Sequence, residues 1–182
     1  NKNFIKRAEI IWEKGTNRKA FFRGEVNKYE WVDIGSSFLP SEITAAFLYS
    51  NLLEMDLIQN KRIKIFNKYY EGLRDLERMG MIVLPKLKDY QFVNGHIFYF
   101  LTKSKNETTK ILDFLKSNGV DAAFHYQCLH SSQYYLKNNK KESLINSEKF
   151  SDQLIRLPLY FDLSENEINY IVKVIEDAYL KN

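Results

Sequence analysis

The sequence predicts a helix-rich α/β chain whose second half is an α+β layer, a mostly antiparallel sheet with helices on one face. Three observations lead there. Glycine (7) and proline (3) are scarce among 182 residues, which favours long regular elements over a loop-rich sandwich. Apolar residues recur at helical spacing over most of the first 80 positions. Beyond Gly80, short β-branched and aromatic runs alternate with capped helical patterns.

Taken in order, Phe4, Ile5, Ala8, Ile11 and Trp12 mark the first helix, and Gly15 is placed to close it. Thr16 to Val32 shows no period; it interleaves Arg18, Lys19, Arg23 and Lys28 with Phe21, Phe22, Tyr29 and Trp31, as an ordered loop would. Pro40 suits a first helical position. From there Ile43, Ala46, Phe47, Leu53, Leu57, Ile65, Tyr69 and Leu76 carry helical spacing to Gly80, so one long bent helix or two end to end are expected. Met81–Pro85, His96–Thr102, Val120–His125 and Arg156–Tyr160 read as strands, the last edge-like because of Pro158. Between and after them lie helices over Ile111–Leu115, Ser147–Leu154 and Ile168–Tyr179, with Ser104/Glu107 and Ser164/Glu167 at capping-box spacing. Lys137–Lys141 reads as an exposed loop tip.

Composition narrows the class. Apolar residues make up 45% and aromatics 15%, enough for a packed core at this length. The net charge of +4 arises from 27 basic and 23 acidic residues interspersed along the chain, the pattern of a solvated surface, so nucleic acid is not indicated. A single cysteine, Cys128, forms no internal disulfide and fits a reducing compartment. No apolar run reaches the roughly 18 residues of a membrane span, and no signal-type segment opens the chain. A cytoplasmic location is expected. The chain opens at Asn1 inside a helical pattern without an initiator Met, as a fragment would.

Two places could carry chemistry. In H-Y-Q-C-L-H, His125, Cys128 and His130 are ligand types, yet a structural zinc site uses four and only His96 is spare; no metal is expected. A Cys-His nucleophile pair lacks an orienting third group. His125 itself is either a strand-end histidine satisfied by backbone or a group delivered to a ligand. The second place is D-I-G-S-S-F-L-P-S-E, Asp33 to Glu42: Gly35 permits close approach, Ser36 and Ser37 supply hydroxyls, and a helix start offers free N–H groups. It suits either a phosphate or a plain cap.

Glu13 to Leu48, E-K-G-T-N-R-K-A-F-F-R-G-E-V-N-K-Y-E-W-V-D-I-G-S-S-F-L-P-S-E-I-T-A-A-F-L, closely resembles the DegT/DnrJ/EryC1/StrS group of nucleotide-sugar aminotransferases. N-G-H-I-F-Y-F (Asn94 to Phe100), F-H-Y-Q-C-L-H (Phe124 to His130) and R-L-P-L-Y-F-D-L-S (Arg156 to Ser164) are similar to later landmarks of that group, in the same order. The resemblance implies the aspartate-aminotransferase type of fold (PLP fold type I) and a C-terminal half. Residues 1–58 would be the C-terminal part of the large PLP-binding domain with the start of a connecting helix, and 59–182 the small α+β domain. It implies pyridoxal 5'-phosphate as cofactor and a homodimer. Its substrate would be a dTDP-4-keto-6-deoxyhexose, aminated at C4 with glutamate as donor, for surface-polysaccharide or deoxyamino-sugar synthesis, with no nucleic-acid or membrane partner.

Residue by residue, Ser37 stands where the group's asparagine reaches the cofactor phosphate of the partner subunit, with Ser36 beside it, while Leu39 replaces the group's Arg. His125 would lie near cofactor and sugar; Cys128 replaces the usual Pro. Arg18, Arg23 and Tyr29 would approach a neighbouring active site and touch the nucleotide sugar. No lysine here has the S-x-x-K-N context of the Schiff-base residue, so no catalytic residue is assigned and the chain alone is expected to be inactive. The alternative is a stand-alone α+β module that binds a phosphorylated ligand without catalysis.

Overall fold

The computed structural model describes residues 1–181. They divide into two compact units, residues 1–54 and the rest of the described chain from Met55 on, with no helix among the described residues long and apolar enough to cross a membrane.

The first unit holds α1 (Ile5–Trp12), α2 (Arg18–Phe22) and α3 (Glu42–Leu53). Two of its features depart from expectation. The aperiodic loop contains a short helix at Arg18–Phe22, and Pro40 lies just ahead of the cap, because Ser41 is the residue whose hydroxyl accepts the Thr44 N–H, at 3.2 Å. Among the described residues of this unit no apolar side chain is buried. Ile43 (83% exposed), Phe47 (74%) and Leu53 (68%) show that α3 is apolar on faces that meet water.

The helical pattern that runs on to Gly80 is interrupted at Glu54 and again at Leu73, giving α4 (Met55–Gly72) and α5 (Arg74–Arg78) in the second unit. There the sheet has three strands: β1 (Phe98–Leu101), β2 (Ala123–Phe124) and β3 (Leu154–Leu157), in the order β1-β3-β2, antiparallel throughout. Met81–Pro85 does not form a strand: only Val83 bridges Leu101, since Pro85 has no N–H to extend the ladder. The Val120–His125 strand shrinks to two residues. α6 (Lys105–Ser117), α7 (Gln133–Asn138), α8 (Ile145–Gln153) and α9 (Glu165–Leu180) complete the unit. α7 occupies part of the expected loop tip, with the Ser132 hydroxyl accepting the Tyr135 N–H at 3.2 Å.

Alternation along β1 and β3 sends Phe98, Phe100, Ile155 and Leu157 to one face, where they meet Phe66 and Tyr69 of α4, Ile111 and Leu115 of α6, and Ile168, Ile171 and Ile175 of α9. Phe98 is fully buried, its ring 5.0 Å from Phe66 and 5.2 Å from Tyr69. Gly72 lets α4 and α9 approach closely, since a Cβ there would come within 2.9 Å of Val172. Both anticipated caps are present. At α9, Ser164 and Glu167 cap each other reciprocally. At α6, the Ser104 hydroxyl accepts the Glu107 N–H, but the Glu107 carboxylate takes the N–H of Lys103 instead.

Candidate functional site

In the first unit, α1 ends in a left-handed pair, Lys14 (φ 62°) and Gly15 (φ 81°), and the Gly15 N–H returns to the Ile10 carbonyl at 2.8 Å. The chain comes back across this point 20 residues later. The Gly15 carbonyl accepts the N–H groups of Val32 (2.7 Å) and Asp33 (3.0 Å), and Ser36 N–H donates to the Ile11 carbonyl at 3.1 Å. Gly35 sits at the crossing itself: a Cβ would lie 2.0 Å from the Gly15 nitrogen. Its role is close approach of backbone to backbone, and the crossing sets Ser37 against Glu13 as an isolated antiparallel bridge.

The result is a cavity of about 490 Å³. Ser37, Ser41, Lys14, Arg18, Tyr29 and Trp12 line it. Of the residues expected from sequence, Arg18, Tyr29 and Ser37 are therefore brought together. Ser36 and Arg23 are not. Arg23 is a structural clamp: its guanidinium holds both oxygens of Glu9 at 2.8 Å and Glu25 at 2.7 Å, keeping both carboxyls below their usual range. Lys14 escapes the sequence reading, because its entry depends on a left-handed backbone turn that residues other than glycine seldom adopt. Thr16 adds a further hydroxyl and Glu13 a carboxylate; the hydroxyls, the ammonium and the guanidinium suit a phosphate group.

His125 lies in the second unit, just past β2. It is half-buried, and its Nδ1 is sealed from solvent with no hydrogen-bond partner. His130 is 8% exposed, and its Nε2 lies 3.1 Å from a Glu148 oxygen that also accepts the Leu144 N–H. Among the described residues, no three His, Cys, Asp or Glu side chains are arranged to hold a metal ion.

The His130 contact, and the Leu144 N–H after it, hold the Glu148 carboxyl below its usual value. A depressed folded-state pKa contributes stability above the unfolded carboxylate value of about 4.3 that is lost as pH falls through the folded one. Glu148→Gln is thus expected to lower the melting temperature at pH 7 and to flatten its decline below pH 5. Parallel melting curves of the two proteins over that acid range, with undiminished steepness in the variant, would count against this role.

Comparison with known proteins places these observations. The model of the DegT/DnrJ/EryC1/StrS aminotransferase family matches residues 1–176. A protein of Methanocaldococcus jannaschii, MJ1066, itself uncharacterized, is 23% identical over 100% of this chain and 48% of its own length. Among solved structures, the aminotransferase TlmJ of Streptoalloteichus hindustanus superposes with a TM-score of 0.84 at 16% identity, over 100% of this chain and 46% of that one. PseC of Helicobacter pylori, an aminotransferase of pseudoaminic acid biosynthesis, gives 0.80 at 23%, over 100% and 47%. Spr1654 of Streptococcus pneumoniae, a sugar aminotransferase solved in PLP and PMP forms, gives 0.81 at 20%, over 99% and 44%. The chain spans about half the length of these relatives, and its fold is that of the corresponding part of an aminotransferase.

Proposed function

Because the chain belongs to the DegT/DnrJ/EryC1/StrS aminotransferase family, we propose that it is the C-terminal half of a PLP-dependent nucleotide-sugar aminotransferase. The enzyme would be a cytoplasmic homodimer that moves an amino group from glutamate to C4 of a dTDP-4-keto-6-deoxyhexose. The observation that supports this most directly is the cavity where Ser37, Ser41, Lys14 and Arg18 converge.

Pyridoxal phosphate fits the residues present on the side of its phosphate. When bound, the cofactor supplies the carbonyl that takes up the amino group and the ring that stabilises the carbanion formed in transfer. This chain's part is binding and orientation. The Ser37 hydroxyl would donate to a phosphate oxygen of the partner subunit's cofactor, as an asparagine amide would; Arg18 and Lys14 would balance its charge and Tyr29 would close the wall. Ser36 spends its N–H on the Ile11 carbonyl, which keeps its hydroxyl available to the cofactor, and Arg23 braces α1 through Glu9 at the side of the sugar. His125 would contact substrate. None of the chain's lysines is assigned to the Schiff base, so residues 1–182 alone would show no turnover.

Ser37→Ala in the longer enzyme tests the reading. Loss of a hydrogen bond to a charged group, about 1.5–3 kcal/mol, corresponds to roughly 10- to 100-fold weaker retention of PLP, with KM for the keto-sugar unchanged. Equilibrium dialysis showing wild-type retention would remove Ser37 from the phosphate site. A stand-alone phosphate-binding module remains the second reading, favoured by the same cavity; it predicts that residues 1–182 bind PLP as tightly as any longer form.

A further inference from the structure

Arg156 lies on β3, the central strand, opposite Tyr99 on one side and Ala123 on the other. Its neighbours Ile155 and Leu157 are buried in the core, so alternation turns Arg156 to the opposite face. His125 lies two residues beyond Ala123, immediately after the end of β2.

Arg156 Nε and His125 Nδ1 are both sealed from solvent without a hydrogen bond, and among the described residues Arg156 enters no ion pair. A desolvated donor without an acceptor is destabilising by itself. The middle of a sheet ordinarily takes apolar or β-branched residues, so an arginine there with a sealed, unbonded Nε needs another explanation. Tyr99, the cross-strand neighbour of Arg156, also lines a hollow of about 410 Å³ with Lys86, Phe92 and Asn94.

We propose that Arg156 and His125 together hold an oxyanion of a ligand, a phosphoryl or carboxylate group gripped by the guanidinium fork. The site itself follows from the sheet; only its link to the sugar-nucleotide or amino-donor substrate rests on the function proposed above.

The test needs neither cofactor nor turnover, so it can fail independently of that function. The 182-residue chain is titrated with inorganic pyrophosphate and, separately, with glutarate, while NMR follows the His125 ring and the Arg156 Nε–H. Saturable shifts of both signals are expected with at least one probe; pyrophosphate alone identifies a phosphoryl group, glutarate alone a carboxylate, and both a general oxyanion site. Arg156→Gln is expected to weaken binding at least tenfold, because it removes the guanidinium fork. Arg156→Lys, which keeps charge without the fork, falls between. Absence of shifts with both probes, or wild-type affinity in Arg156→Gln or, should that variant not fold, in Arg156→Lys, overturns the proposal.

Discussion

Gly35→Ala is expected to dismantle the crossing that shapes the first unit. The added methyl would stand 2.0 Å from the Gly15 nitrogen, 2.6 Å from the Lys14 carbonyl carbon and 2.7 Å from the Gly15 Cα, all backbone atoms with no rotamer to yield. Relief requires the two segments to part, at the upper end of the overpacking range, ~3 kcal/mol. Parting them releases the Val32, Asp33 and Ser36 N–H groups from Gly15 and Ile11 and withdraws Ser37 from the cavity. Amide exchange at those three positions should rise to that of open chain, and PLP retention in the longer enzyme should fall at least as far as in Ser37→Ala. Protection equal to wild type at Val32 and Ser36 would show that the crossing is not made this way.

Phe98→Ala should be the most damaging single change in the second unit. Phe98 is 0% exposed, lies edge-on to Phe66, touches Tyr69, and pairs with Leu157 across the sheet. Its removal opens a cavity among three elements that cannot collapse together, at a cost of about 3–5 kcal/mol. For a unit of this size that is a drop in melting temperature on the order of 10–20 °C. Tyr134→Ala, at a side chain 80% exposed, serves as control, with an effect of ~0.5 kcal/mol or less. Should the two variants melt together, the core would not be centred on Phe98.

Local signals carried much of the fold. Ser104 and Ser164 were readable as caps because a hydroxyl and an acidic residue three positions on satisfy neighbouring backbone donors without help from elsewhere. The apolar spacing of α6 and α9 and the aromatic run of β1 were legible for the same reason. What escaped depends on partners distant in sequence. Met81–Pro85 has strand composition, but whether it pairs is decided by Leu101 and by the missing N–H of Pro85. α7 hid inside a lysine- and asparagine-rich stretch; Ser132 ahead of Q-Y-Y-L was the available sign.

The site divides likewise. A glycine and serines before a helix announced a place for an anion, and Arg18, Tyr29 and Ser37 do gather there. The grip of Arg23 on Glu9, 14 residues upstream, could not be seen, because it exists only once the chain has turned back over α1. Arg156 was visible only as part of a strand. Its sealed, unbonded Nε is a property of the whole sheet.

The bare apolar surface of the first unit carries a thermodynamic meaning. A segment of 54 residues with no buried apolar side chain has almost nothing of its own to set against the entropy of ordering its backbone. Its three helices are held by whatever surface covers them, so their order is governed by mass action. The helix content of residues 1–54 should then follow a binding isotherm in the concentration of that covering surface, and the unit has no melting temperature independent of it.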